Sequence, residues 1–231
     1  MDTVPAADAG RGAGGGPAAQ ALDGRRIGQR GQRTRRRLLD ATAALLATHG
    51  IRDLRVVDIA REVGTSPATF YQYFRDAQDA VLVLAEEVGE EGRSLVAWLE
   101  PSWDGPEGLD HARRLVDGFV EHWDRHRAVL RSRNLAAQEG DERFREVRNR
   151  ANHEFLVGFE AKIERSRRRG RVPAELSPLA AAAALVALIE RMAAFHRDLE
   201  PLGITRTELV ETTARIIHRT VVGDASDRRS G

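Results

Sequence analysis

Ile59-Ala60-Arg61-Glu62-Val63-Gly64-Thr65-Ser66-Pro67-Ala68-Thr69-Phe70-Tyr71-Gln72-Tyr73-Phe74 decides the fold. Ile59 and Val63 are apolar one helical turn apart, and Ala60 is small where a second helix must come close. Gly64 sits where a helix ends and the chain needs a positive φ. Ser66 is a good N-cap, and Pro67 fits the first helical position, where a missing N–H costs nothing. Phe70 and Phe74 form an i, i+4 pair able to fix a short second helix on its partner. The stretch predicts a helix-turn-helix.

Around this motif the charge is uneven. Residues 1–37 carry eight Arg and three Asp, a surplus of five positive charges in a chain whose total is +1. A basic arm on a slightly acidic body points to a local polyanion contact. Arg11 reads as part of a solvated tail, whereas Arg30 to Arg37 abut the motif and read as nucleic-acid contacts. Residues 1–30 are rich in Gly and Ala and poor in large apolar residues, so a disordered arm is expected. Gly12-Ala13-Gly14-Gly15-Gly16 lacks the strand and helix that a phosphate loop requires, and reads as linker.

The 231 residues suffice to bury a core. The chain has no Cys, which excludes disulfides and Cys-based zinc sites. No run of about 18 apolar residues is recognised and no signal-peptide core is seen, so a cytoplasmic protein away from membranes is expected.

From Thr34 onward the apolar spacing is helical, and no two-residue alternation appears. The first helix is expected from Thr34 to Gly50 and the motif from about Val56. A long helix should run from Arg75-Asp76 to Pro101, with a bend near Gly89 and Gly92. Two helices are expected at Leu109–Trp123 and Val129–Ala137, and a longer one through Phe144, Phe155 and Ile163. Another starts at Ser177-Pro178, and a last one is capped by Thr205. The class is all-α with roughly nine helices. The expected organisation is an arm at 1–30, a DNA-binding head at 31–76, a ligand-binding and dimerisation body at 77–223, and a flexible tail at 224–231.

The head motif, Gly50, Ile59-Ala60, Val63-Gly64, Ser66, Thr69-Phe70-Tyr71, Tyr73-Phe74 and Asp76, resembles the TetR family of transcriptional regulators. Within it, Pro67 to Phe74 and Glu190-Arg191 are similar to the ethionamide-resistance-type regulators of actinobacteria. Two residues depart from the family pattern: Thr65 replaces an apolar turn residue, and Ala77 replaces a Lys that touches a DNA phosphate. The resemblance implies a homodimer built through the last two helices, an operator of double-stranded DNA, and an apolar small-molecule effector. Repression is the family's commoner mode; activation, or regulation without a small ligand, is the alternative.

On the second motif helix Phe70 points inward, so Ala68 and Gln72 point away, flanked by Thr69 and Tyr71. Gln72 can hydrogen-bond an adenine edge, and Ala68 and Pro67 can touch a thymine methyl. Ser66, Thr69, Tyr71 and Tyr73 carry hydroxyls suited to phosphate oxygens. Arg33 lies in the basic run, and Thr34 and Arg35 stand where the family often contacts phosphate. For each of these residues the alternative is an ordinary solvated side chain with no DNA contact.

In the body, the resemblance implies an apolar pocket, with Trp98, Phe119, Trp123, Leu130, Phe155, Phe159, Met192 and Phe195 as candidate walls. Aromatic stripes at helical spacing more commonly fill cores. Asn134 and Glu190 are polar among apolar neighbours and need partners, either a ligand or an adjacent helix. His122 and His126 have the i, i+4 spacing of a metal site. The stretch lacks the Glu of a zincin motif and shows no third ligand, so neither metal nor cofactor is expected. No nucleophile motif supports an enzyme.

Because Ala77 removes one phosphate anchor, the arm should carry more of the binding. Deleting residues 1–33 is expected to weaken DNA binding, measured by gel shift across a salt series. Unchanged affinity and unchanged salt slope would refute this.

Overall fold

The computed structural model describes residues 28–223. The arm up to residue 27, with Arg11 and the glycine run, lies outside the described residues, as does the tail at 224–231. Among the described residues the fold is all helical: α1 (Gln29–His49), α2 (Val56–Val63), α3 (Pro67–Phe70), α4 (Ala77–Gly92), α5 (Gly108–Gln138), α6 (Glu142–Arg168), α7 (Pro178–Leu199) and α8 (Arg206–Val222). Two 3₁₀ stretches, Arg93–Leu99 and Glu200–Leu202, follow α4 and α7.

The helix boundaries have identifiable causes. α2 ends in a Schellman motif: Thr65 N–H donates to Ala60 C=O at 2.9 Å and Gly64 N–H to Arg61 C=O at 3.0 Å, with Gly64 at φ +70°. Ser66 caps α3 by accepting the Thr69 N–H, and Asp76 caps α4 by accepting the Asp79 N–H. Thr205 and Glu208 form a complete capping box at α8.

Three expectations are corrected. α1 begins at Gln29, one turn before Thr34, so Thr34 lies inside the helix with its hydroxyl donating to Arg30 C=O. The first helix therefore needs no side-chain cap at Thr34, and truncation at residue 33 cuts into it; removing residues 1–27 tests the arm alone. The long fourth helix stops at Gly92 and continues as 3₁₀ to Leu99 rather than reaching Pro101 as α-helix. The two helices expected at 109–123 and 129–137 are present as the two arms of α5, which meet at a kink on His126 (φ −119°, ψ 21°). With α5 taken as one kinked element, α-helices number eight among the described residues, close to the roughly nine expected. Finally, Pro178–Leu202 has a window of mean hydropathy 1.6, long and apolar enough to cross a membrane. Only 33% of that window is buried, and the helix packs on α5, α6 and α8.

The head and the body share one apolar cluster. Leu38 and Leu39 of α1, Ile59 of α2, Phe70 and Phe74 are almost fully buried, continuous with Ala80, Val81 and Leu84 of α4. The Phe70 and Phe74 ring centroids lie 5.3 Å apart. α1 is joined to its neighbours by polar contacts as well: Arg37 donates to Val63 C=O at 2.7 Å, and Arg36 pairs with Glu87 of α4 at 2.7 Å.

The space into which a Cβ at Gly64 would project is open, so an alanine there meets only the backbone cost of φ +70°. Gly64→Ala should lower stability by about 1 kcal/mol, read as a shift in the urea midpoint with an unchanged slope. A midpoint equal to that of the parent would contradict the assignment.

Candidate nucleic-acid interface

Between the buried rings of Phe70 and Phe74 the chain presents an outward surface. Pro67, Ala68, Tyr71 and Gln72 are exposed, and Thr69 and Tyr73 are half-buried. α3 is four residues long, but helix-like bonds continue past it: Tyr71 N–H donates to Pro67 C=O at 3.1 Å and Phe74 N–H to Phe70 C=O at 3.1 Å. This continuation keeps Gln72 and Ala68 together on the face opposite Phe70. Tyr71 stands edge-on to Phe70, centroids 5.9 Å apart, so its hydroxyl is held outward on a fixed ring.

Two hydroxyls are already engaged. Ser66 Oγ lies 3.2 Å from the Thr69 N–H and 3.1 Å from Thr69 Oγ1, so both residues organise the start of α3. Of the arginines, Arg33 is exposed, while the half-buried Arg35 places its guanidinium 5.3 Å from the Phe74 ring centroid. Arg75 is held by Asp79 at 2.7 Å, and Ala77 is buried in the first turn of α4.

The proposed pocket residues separate into groups. Phe119, Trp123, Leu130, Phe155 and Phe159 are buried, and the Phe119 and Phe155 rings meet edge to face at 4.9 Å. Trp98 is half-buried, between the His111 ring and the Arg114 guanidinium. Met192 is half-buried, and Phe195 lies at the surface beneath the Arg191 guanidinium, 3.5 Å from its ring centroid. The sequence did not single out Trp103, which is buried edge to face with Phe159 and donates its indole N–H to Trp98 C=O at 3.0 Å. Its position inside a Pro- and Gly-rich loop hid it.

Asn134 and Glu190 do have a common partner, Arg133, which sequence reasoning also missed. Arg133 is 3% exposed; it donates to Glu190 Oε1 at 3.0 Å and to Asn134 Oδ1 at 3.0 Å. Asn152 of α6 donates to the other Glu190 oxygen at 3.1 Å. Burial lowers the Arg133 pKa, opposed by the Glu190 charge; the guanidinium remains protonated. α5, α6 and α7 are thereby joined through one ion pair. His122 and His126 come together on α5 with Glu91 of α4, a third potential ligand absent from their local sequence.

Residues 38–79 match the family model of bacterial regulatory proteins of the tetR family, and residues 94–228 match the model of the tetracyclin repressor-like C-terminal domain. Solved structures with the same fold include Salmonella enterica GusR (TM-score 0.63, 17% identity, 82% of this chain and 95% of that one). FadR from Bacillus subtilis, solved with stearoyl-CoA, aligns with a TM-score of 0.60 at 15% identity over 82% of this chain and 98% of its own. A TetR/AcrR-family regulator from Thermobifida fusca aligns at 0.59 and 19% identity, over 80% and 96%.

Removing Glu190 leaves the buried Arg133 charge unpaired. Glu190→Ala should cost about 3–5 kcal/mol, whereas Arg133→Met with Glu190→Leu should recover most of the loss, both measured by urea unfolding. A single variant as stable as the parent would show that the pair is not desolvated.

Proposed function

Because the chain belongs to the TetR family of bacterial regulatory proteins, we propose that it is a repressor that binds a near-palindromic operator as a homodimer and is released by an apolar small molecule. The coarser role, DNA-binding regulation of transcription rather than catalysis, follows from that membership. The observation that carries the operator-binding part of this reading is the outward surface of Pro67, Ala68, Tyr71 and Gln72, fixed from behind by Phe70 and Phe74. Gln72 supplies the base-reading amide and Ala68 the apolar contact to thymine; Tyr71, Tyr73 and the exposed Arg33 address phosphates. Residues 31–76 act as head and 77–223 as body.

The homodimer reading rests on α7 and α8. Ala180, Ala183, Ala184 and Ala187 face outward on α7, with Leu179 and Phe195 exposed near its ends and Ile216 exposed on α8. Small outward residues let helices of two copies approach closely, and the apolar ones need cover. Such pairing sets two recognition surfaces roughly 34–36 Å apart, one DNA turn. Stearoyl-CoA, bound by the Bacillus subtilis FadR, makes long-chain acyl thioesters the first effector class to screen.

A second reading, regulation without a small ligand, is favoured by the packing of Phe119, Phe155 and Phe159, whose buried rings already occupy the body. Footprinting of the full chain on the DNA flanking its own gene distinguishes the two. Symmetric protection lost on adding an acyl thioester or another apolar compound supports the first; protection indifferent to a broad ligand screen supports the second. In the same assay Gln72→Ala should weaken specific protection by about 1–3 kcal/mol. Asymmetric protection, or sedimentation as a monomer at micromolar concentration, refutes the homodimer.

A further inference from the structure

The end of α4 meets α5 at a cluster that the operator-binding role does not use. Glu91 is the penultimate residue of α4, and His122 and His126 lie one turn apart on α5. One ligand atom from each falls within 4.8 Å of the others. The two imidazole rings are 5.1 Å apart by centroid, and His126 Nε2 stands 2.9 Å from a Glu91 carboxylate oxygen. That nitrogen is buried, and its alignment with Glu91 misses that of a hydrogen bond. The backbone is shaped to the same place. A side chain at Gly92 would put its Cβ 3.1 Å from His122 Nε2, so glycine admits the ring, and the local break in α5 falls on His126 itself.

We propose that Glu91, His122 and His126 form a binding site for a divalent transition-metal ion of the zinc class. Two imidazoles and one carboxylate suit Zn²⁺, Co²⁺, Ni²⁺ or Cu²⁺ rather than Mg²⁺ or Ca²⁺, which favour oxygen donors. Nitrogen and oxygen ligands about 2.0–2.1 Å from a tetrahedral zinc ion stand about 3.4 Å from one another, so the cluster closes by little more than an ångström on loading. Three protein ligands leave the fourth position for water. Arg125, which pairs with Glu91, releases it to the metal. The bound ion clamps the end of α4 remote from the head onto α5. α4 also contacts α1 through Glu87 and Arg36, so the clamp restrains the helix that supports the recognition surface.

The test uses the full chain stripped of metal by chelation and titrated with Zn²⁺ and Co²⁺ in the absence of DNA, so its outcome is independent of the operator reading. The expected result is about one ion per chain, a rise in melting temperature, and intense visible absorption from Co²⁺ in a four-coordinate site. Glu91→Gln, His122→Gln and His126→Gln should each weaken binding at least about tenfold, and the double histidine variant should abolish the cobalt spectrum. Circular dichroism and melting of each metal-free variant establish that it is folded. Stoichiometry or affinity equal to that of the folded double variant would overturn the proposal, because the ion would then be held by other groups.

Discussion

Burial of Phe70 and Phe74 is the constraint on which the head depends. α3 is only four residues long, far too short to hold a helical conformation in water. Its shape is imposed by the two rings, each almost fully buried in the cluster formed with α1, α2 and α4. Fixing those two positions determines what the residues between them do. Tyr71 and Gln72 face solvent because Phe70 and Phe74 do not. The surface proposed to read DNA is thus the reverse side of an apolar anchor, and the same anchor carries the head onto α4.

α5 organises the body in a comparable way. Along one helix it contributes Trp123 and Leu130 to the apolar interior, Arg133 to the ion pair with α7, and His122 and His126 to the junction with α4. The local break falls on His126 itself, between Trp123 and Leu130. Buried charge and buried rings are incompatible neighbours unless the charge is satisfied, and Glu190, Asn134 and Asn152 supply that satisfaction. The polar residues that interrupt the apolar pattern therefore join α5, α6 and α7 to one another. In the proposed mechanism, ligand release of DNA acts through the packing of α4, which rests on both α5 and α6.

Local chemistry made much of the fold legible. The glycine at the end of α2, the serine and proline opening α3 and α7, and the threonine with glutamate opening α8 each act within one helical turn. Their effects can be read from adjacent residues. The outward face of the recognition segment followed from the position of one phenylalanine and the helical period. The start of α1 is not legible because no side chain caps it, whereas the kink of α5 is legible as the polar run between Trp123 and Val129.

By itself the sequence determined the helical class, the helix-turn-helix and which residues of that motif face outward, because caps, turns and helical period are short-range. Tertiary structure alone decided the partners of polar groups distant in sequence. Arg133 meets Glu190, and Glu91 meets His126, only because separate helices are packed side by side. No local pattern encodes such meetings: which faces of two helices meet depends on how the whole apolar interior is filled.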